Sequence, residues 1–228
     1  MERQQDYVLR TVEERGVRLV SMWFTDVLGQ LKSFAISPAE LEGAFDDGMT
    51  FDGSSIDGFS RKQESDVLAV PDASTFELLP WSQDEPTARI FCDISQLDGS
   101  PFEGDPRQVL RRNLQAAHER GFSFFAAPEM EFFYFADDDP SRAPVPLDAG
   151  SYFDLTTADV AGDMRRATLS TLEAMGIPVE YSFHEDAPSQ HEVDLRYTDA
   201  LTMADTVMTV RLVVRQLALA HGVHATFM

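Results

Sequence analysis

The stretch Pro128-Glu129-Met130-Glu131-Phe132-Phe133-Tyr134-Phe135 limits what this chain can fold into more than any other. Its aromatic residues, and its position after Gly121-Phe122-Ser123-Phe124-Phe125, predict a strand buried in a sheet. Alternate side chains of a strand share a face, so Glu129 and Glu131 point the same way, about 6.5 Å apart. Like charges at that range raise each other's pKa, which makes the pair costly on an otherwise apolar strand. A hard divalent cation removes the cost and takes the oxygen ligands that such a pair supplies. The competing reading is an edge strand whose glutamates both face water. The aromatic surroundings favour the metal.

A chain of 228 residues, 43% hydrophobic, has ample material for one large domain or two ordinary ones. Its 39 acidic residues against 18 basic ones give a net charge of −21. That balance argues against nucleic acid or an anionic membrane surface as a partner. It suits metal ions, amines, or anions carried as metal complexes, although a solvated acidic surface accounts for most of the charge. The single cysteine, Cys92, excludes an internal disulfide and fits a reducing cytoplasm. Its place in the apolar run Ala88-Arg89-Ile90-Phe91-Cys92 predicts a buried structural thiol. No signal-peptide core opens the chain and no apolar run approaches the ~20 residues that cross a bilayer, so a soluble cytoplasmic protein is expected.

Periodicity predicts a helix over 2–15, with Val8, Leu9 and Val12 inward, then a hairpin of strands 17–25 and 31–36. Ser37-Pro38-Ala39-Glu40 carries the start signals of a helix ending near Gly48. Strands are expected at 67–70, 76–79 and 87–94. These elements make a small α+β domain, residues 1–103. The second domain, 104–228, opens with the cap Asp105-Pro106 and a helix to Arg120. After the glutamate strand come a polar loop over 136–150, read as a flexible surface excursion, a helix over 158–175 and strands over 177–183 and 191–197. The alternation of the last strand puts Glu192, Asp194 and Arg196 on one face. A helix over 199–221 and a strand over 223–227 follow. The chain stops inside a strand-like run, which reads as a truncation.

Three further stretches can carry chemistry. Phe51-Asp52-Gly53-Ser54-Ser55-Ile56-Asp57-Gly58-Phe59 is a glycine-rich loop in which backbone can approach a ligand and Asp52 can accept a proton or hold a cation. Ordinary turn chemistry gives the same residues. His184-Glu185-Asp186-Ala187-Pro188-Ser189-Gln190-His191-Glu192 joins two strands and brings Glu185 and Glu192 to the ends of a tight connection, where both can reach one ion. A solvated acidic hairpin reads equally well, and the histidine spacing disfavours zinc. Gly150-Ser151-Tyr152-Phe153-Asp154 alone says little beyond a turn followed by a strand.

Together these strings resemble the glutamine synthetase family over nearly the whole chain. The residues that carry the likeness are Phe51 to Ile56, Glu64-Ser65-Asp66, Pro71-Asp72-Ala73-Ser74-Thr75, Phe102 to Arg107, Glu129-Met130-Glu131-Phe132-Phe133, His184-Glu185 with Gln190-His191-Glu192, and His224 to Met228. The seven-residue step from Glu185 to Glu192 looks like the shorter-loop bacterial type I form. The resemblance implies a β-grasp-like N-terminal domain followed by the first part of a catalytic domain with a mainly antiparallel sheet and helices. It implies active sites between neighbouring subunits of a homo-oligomeric dodecamer of two hexameric rings. Glu131, Glu185 and Glu192 would match ligands of one Mg²⁺ or Mn²⁺, and Glu129 a ligand of a second ion bridging the nucleotide phosphates. Glu180 would match an ATP contact. Asp52 and Ser55 would enter the neighbouring subunit's site, where the aspartate binds and deprotonates ammonium, and Tyr152 aligns with that ammonium pocket.

The activity so implied is ATP-dependent ligation of ammonia to the γ-carboxylate of glutamate through a γ-glutamyl phosphate. The chain departs from the family pattern at Phe183, where most relatives have histidine, and at Ser189, where many have glycine. These departures leave open a family ligase using polyamines or another amine, whereas Asp52, Ser55 and Tyr152 favour ammonia. Arg61 falls where some relatives place an arginine of glutamine feedback, and a plain surface arginine reads equally well. The other classes considered are a non-catalytic relative and an acidic metal-storage or scaffold protein. Retention of four glutamates without countercharge argues against the former. By the same resemblance the remaining metal ligands, the glutamate-binding arginines and much of the nucleotide pocket would lie beyond Met228.

Overall fold

Val8 and Val12 lie one turn apart on α1 (Glu2–Glu14), and both are buried, as an inward i, i+4 pair requires. Gly16 ends that helix with φ at +61°. The computed structural model describes residues 2–54, 56, 66–82, 84–155 and 161–228. They form two compact units, Met1–Phe124 and Phe125–Met228.

In the first unit β1 (Leu19–Thr25) and β2 (Leu31–Ile36) make the expected antiparallel hairpin. The next helix begins one turn later than its start signals suggest. Ser37 Oγ accepts the Ala39 N–H at 3.3 Å and closes a 3-10 turn over Pro38–Glu40, and α2 (Leu41–Asp47) continues from it. Then follow β3 (Met49–Asp52), β4 (Asp66–Pro71), β5 (Glu77–Leu78) and β6 (Thr87–Ser95). The sheet runs β2-β1-β6-β4-β3, with β5 also paired to β6. β1 and β6 are parallel, and the other pairs are antiparallel. Alternate residues Val20, Met22 and Phe24 face a core shared with Val8, Leu41, Ile90 and Ile94. Cys92 is fully buried, and burial pushes its thiol well above the ordinary range, so it is an inert core residue.

Helix α3 (Pro106–His118) belongs to this first unit in space. The Asp105 carboxylate accepts the N–H groups of Arg107 at 2.9 Å and of Ile94 at 2.8 Å. Arg107 and Arg111 each pair with both Asp72 and Asp93. These bonds carry the compact unit past residue 103.

The second unit is built on an antiparallel sheet of order β12-β8-β10-β9. Its strands are β8 (Glu129–Phe135), β9 (Val179–His184), β10 (Gln190–Leu195) and β12 (His224–Thr226). A smaller ladder joins β7 (Phe125–Ala126) to β11 (Thr198–Asp199). The helices α4 (Gly162–Ala174) and α5 (Ala200–Ala220) pack against the sheet. Along β8 the exposed residues Glu129 and Glu131 alternate with buried Met130, Phe132 and Tyr134. The strand is therefore central rather than an edge, with its glutamates on the open face. The loop over 136–150 is pinned and not a free excursion. The Ala136 N–H bonds the Val145 carbonyl at 2.9 Å, and Phe135 bridges Pro146. Among the described residues no helix is long and apolar enough to cross a membrane.

Candidate metal centre

The register of the second sheet assembles an acidic surface from three strands. Glu131 stands opposite Glu192, and Glu129 opposite Asp194. On the other side of β10, Glu192 faces Phe183 and Asp194 faces Tyr181. Directly opposed Cβ atoms lie about 4.5–5.5 Å apart, so these side chains share one face. Glu185 follows β9 directly, and its N–H bonds the Gln190 carbonyl at 2.8 Å, which closes the connection back to β10. The side-chain amide of Gln190 donates to Glu131. Glu192 and Asp194 are buried, while Glu129 and Glu131 are exposed.

Crowding shows in the electrostatics. Burial, and then the hydrogen bonds and charges of Asp194 and Glu185, push the Glu192 carboxyl up to about 8. Tyr152 is raised as well, by desolvation and then by the charges of Glu185, Asp186, Glu192 and Asp194. Among the described residues no Lys, Arg or His forms an ion pair with Glu129, Glu131, Glu185, Glu192 or Asp194. An oxygen-only donor set with excess negative charge fits a hard divalent cation such as Mg²⁺ or Mn²⁺.

Glu180 is exposed and is the residue passed over where the β9–β10 register shifts. Such a bulge re-aims a side chain that strict alternation would commit to one face. Asp52 ends β3 in the first unit, exposed, and accepts the Ser54 N–H at 2.8 Å. Ser55 lies outside the described residues, as do Arg61, Glu64 and Ser65.

Tyr152 sits in a turn, not before a strand. It packs edge-on to Phe183 at 5.6 Å, and Phe153, at φ +60°, lies 4.7 Å from the same ring. With exposed Tyr181 at 6.0 Å from Phe183, they form an aromatic patch beside the carboxylates.

Beneath the acidic face a buried network fixes the Glu185 connection. Asp148 Oδ1 accepts from the Ser189 N–H at 2.9 Å, from the Gly150 N–H at 3.0 Å and from His184 Nε2 at 2.9 Å. His184 Nδ1 donates to the Glu185 carbonyl at 2.6 Å. These bonds outweigh burial and hold Asp148 below its ordinary range. The ligand atoms of Asp148, His184 and His191 lie within 4.8 Å of one another. They do not fit a metal, because Arg165 donates to His191 Nδ1 at 2.8 Å. That bond leaves the proton of a neutral ring on Nε2, the atom facing Asp148 at 3.9 Å. Asp148 lies inside a loop whose polar, proline-rich sequence predicts a flexible excursion, and Asp194 has no ligand role in the set that the sequence implies. Its one available signal was the alternation that places Asp194 beside Glu192.

An antiparallel sheet with helices on one face and clustered carboxylates on the other, preceded by a β-grasp unit, defines a class of α+β proteins suited to metal-assisted chemistry. Two family models match, "Glutamine synthetase, beta-Grasp domain" over residues 16–97 and "Glutamine synthetase, catalytic domain" over 103–228. The chain belongs to the glutamine synthetase family. It is 55% identical to a glutamine synthetase of Mycobacterium bovis over 100% of this chain and 52% of that protein. The one from Thermotoga maritima is 47% identical over 97% of this chain and 51% of its own length. A solved GmaS–ADP complex superposes with a TM-score of 0.87 at 26% identity, over 97% of this chain and 51% of that one. A Plasmodium falciparum glutamine synthetase shares the fold, with a TM-score of 0.89 at 22% identity over 98% of this chain and 50% of that one. The chain spans about half the length of the curated relatives it matches.

Proposed function

We propose that the protein carrying this chain is an ATP-dependent ligase that joins ammonia to the γ-carboxylate of glutamate by way of γ-glutamyl phosphate. The observation that supports it is the carboxylate face built from Glu129, Glu131, Glu185, Glu192 and Asp194, which has no ion-pair partner among the described residues. Divalent cations bound there would neutralise the charge that develops as a γ-phosphoryl group meets an anionic carboxylate. Glu131, Glu185 and Glu192 would hold one ion and Glu129 the other, with Glu180 on ATP. The Glu185 connection keeps its ligand in place through His184 and Asp148. Asp52 and Ser55 would act in a neighbouring subunit's site of a homo-oligomeric dodecamer. There Asp52 takes the proton that ammonium must lose before attack, and Tyr152 lines the ammonium pocket. We also propose 1–103 and 104–228 as the family domains, and the cytoplasm as the location.

A second reading is favoured by one observation. The exposed rings of Tyr152, Phe153 and Tyr181, packed around half-buried Phe183 beside carboxylates, are suited to the hydrocarbon of a larger organic amine such as a polyamine. An acceptor screen on the full-length protein tests both readings. Phosphate release that depends on glutamate and ammonium supports the first, and strong preference for putrescine, spermine or ethanolamine supports the second. No glutamate-dependent release with any amine sinks both. The 228-residue chain alone is expected not to turn over.

A further inference from the structure

The implied ligand set gives no role to Asp194, yet its surroundings are those of a ligand. It stands opposite Glu129 in the β8–β10 register and shares the face of Glu192, two residues away on its own strand. Its relative exposure is 7%, and its Oδ1 is buried with no hydrogen-bond partner. Tyr181, its register partner on β9, and the Glu192 carboxyl both interact with this carboxylate, while Oδ1 itself has no hydrogen-bond partner. Among the described residues no cationic side chain pairs with it.

A buried carboxylate oxygen without a donor is ordinarily eliminated from a fold or paired with one. Here it belongs to a side chain on the strand face that already gathers acidic residues. We propose that Asp194 is a further oxygen ligand of the divalent cation held by Glu129, reached across the strand pair. The inference rests on the cation reading of this face. Opposed Cβ atoms are about 4.5–5.5 Å apart, and two carboxylates at that spacing converge on one ion with oxygen distances of about 2.0–2.1 Å.

The test is a Mn²⁺ titration of the full-length protein followed by electron paramagnetic resonance. It compares wild type with Asp194→Asn, Glu129→Gln, the double variant, and Asp186→Asn as an exposed control. Asp194→Asn should weaken one Mn²⁺ site at least tenfold, the same site that Glu129→Gln weakens. The double variant should be little worse than either single one, because both act on one ion. Asp194→Glu, which keeps the charge, should recover part of the affinity. Without metal, Asp194→Asn should melt no lower than wild type, since it removes a buried charge lacking a partner.

Unchanged Mn²⁺ binding in Asp194→Asn, or full additivity with Glu129→Gln, overturns the proposal. So does a loss of binding accompanied by a lower metal-free melting point, which marks a structural role. Absence of Mn²⁺ binding by the wild type fails the cation reading itself, and this inference with it.

Discussion

Two acidic clusters in this chain are built on opposite principles. In the first unit Asp72 and Asp93 are each bound by two arginines, Arg107 and Arg111, so the group is neutral within itself. In the second unit Glu129, Glu131, Glu185, Glu192 and Asp194 gather with no ion-pair partner among the described residues. Asp72 is accordingly held below its ordinary range: burial works against this, and Ser74 and Arg107 prevail. Glu192 is driven the other way. A cluster that carries its own countercharge holds the fold together, whereas one that lacks it leaves the countercharge to a ligand.

The largest effect that divides the clusters belongs to Arg107, which is buried. Arg107→Met leaves Asp72 and Asp93 with one arginine and should cost about 3–5 kcal/mol of stability. A urea melt measures it, and Mn²⁺ should not restore the loss. If Mn²⁺ does restore it, the first cluster is a cation site too and the contrast breaks.

Next in size is a change below the second cluster. A Cβ at Gly150 would lie 2.5 Å from His184 Nε2, the atom bound to Asp148. Gly150→Ala should therefore cost about 1–3 kcal/mol and displace the Glu185 connection. Thermal melts should fall, and Mn²⁺ affinity should fall with them. A full-affinity, full-stability variant would show that this network does not hold Glu185.

How much of this was legible in sequence differs by element. The glutamate strand, the hairpin of β1 and β2, and the capped helix α3 are local patterns, and the chain spells them out. β3 went unread because Met49 to Asp52 is short and runs into glycine-rich turn residues. The burial of Glu192 and Asp194 depends on Tyr181 and Phe183, which a neighbouring strand supplies. No periodicity along β10 tells a buried acid from a solvated one. Glu180 shows the same limit, since its bulge exists only in the pairing of two strands. Asp148 was hidden because its partners lie at Gly150, His184 and Ser189, beyond any local window.

A smaller effect follows from Glu192, whose proton is retained in the fold up to about 8. Its folded-state pKa lies above the ordinary 4.5, so the folded form binds more protons between those values. Its contribution to metal-free stability is then fully present below about pH 4.5 and is lost as pH rises through 8. Glu192→Gln should flatten this slope and raise metal-free stability by about 1–2 kcal/mol at pH 8, while removing the stabilisation that Mn²⁺ gives. Asp72 has the opposite sign: its contribution is present above the ordinary 3.8 and is lost as pH falls below it. Melts from pH 4 to 9, with and without Mn²⁺, separate the two. A metal-free protein whose stability rises steadily to pH 8 would remove the distinction.

The smallest effect concerns a buried acid answered by neither arginines nor a metal ion. Asp148 is held by backbone N–H groups and His184, and Ser189 returns the contact by accepting the Asp148 N–H at 2.9 Å through Oγ. Ser189 holds φ at +57°, a conformation that strains a residue with a Cβ by about 1–2 kcal/mol. Ser189→Gly relieves that strain but forfeits a hydrogen bond to Asp148 worth about 0.5–1.5 kcal/mol. The two nearly cancel, so stability should change by less than about 1 kcal/mol. A loss well beyond that would show that the serine hydroxyl holds Asp148 in place. An equally large gain would make the bond incidental and leave the backbone donors and His184 as the whole answer to that charge.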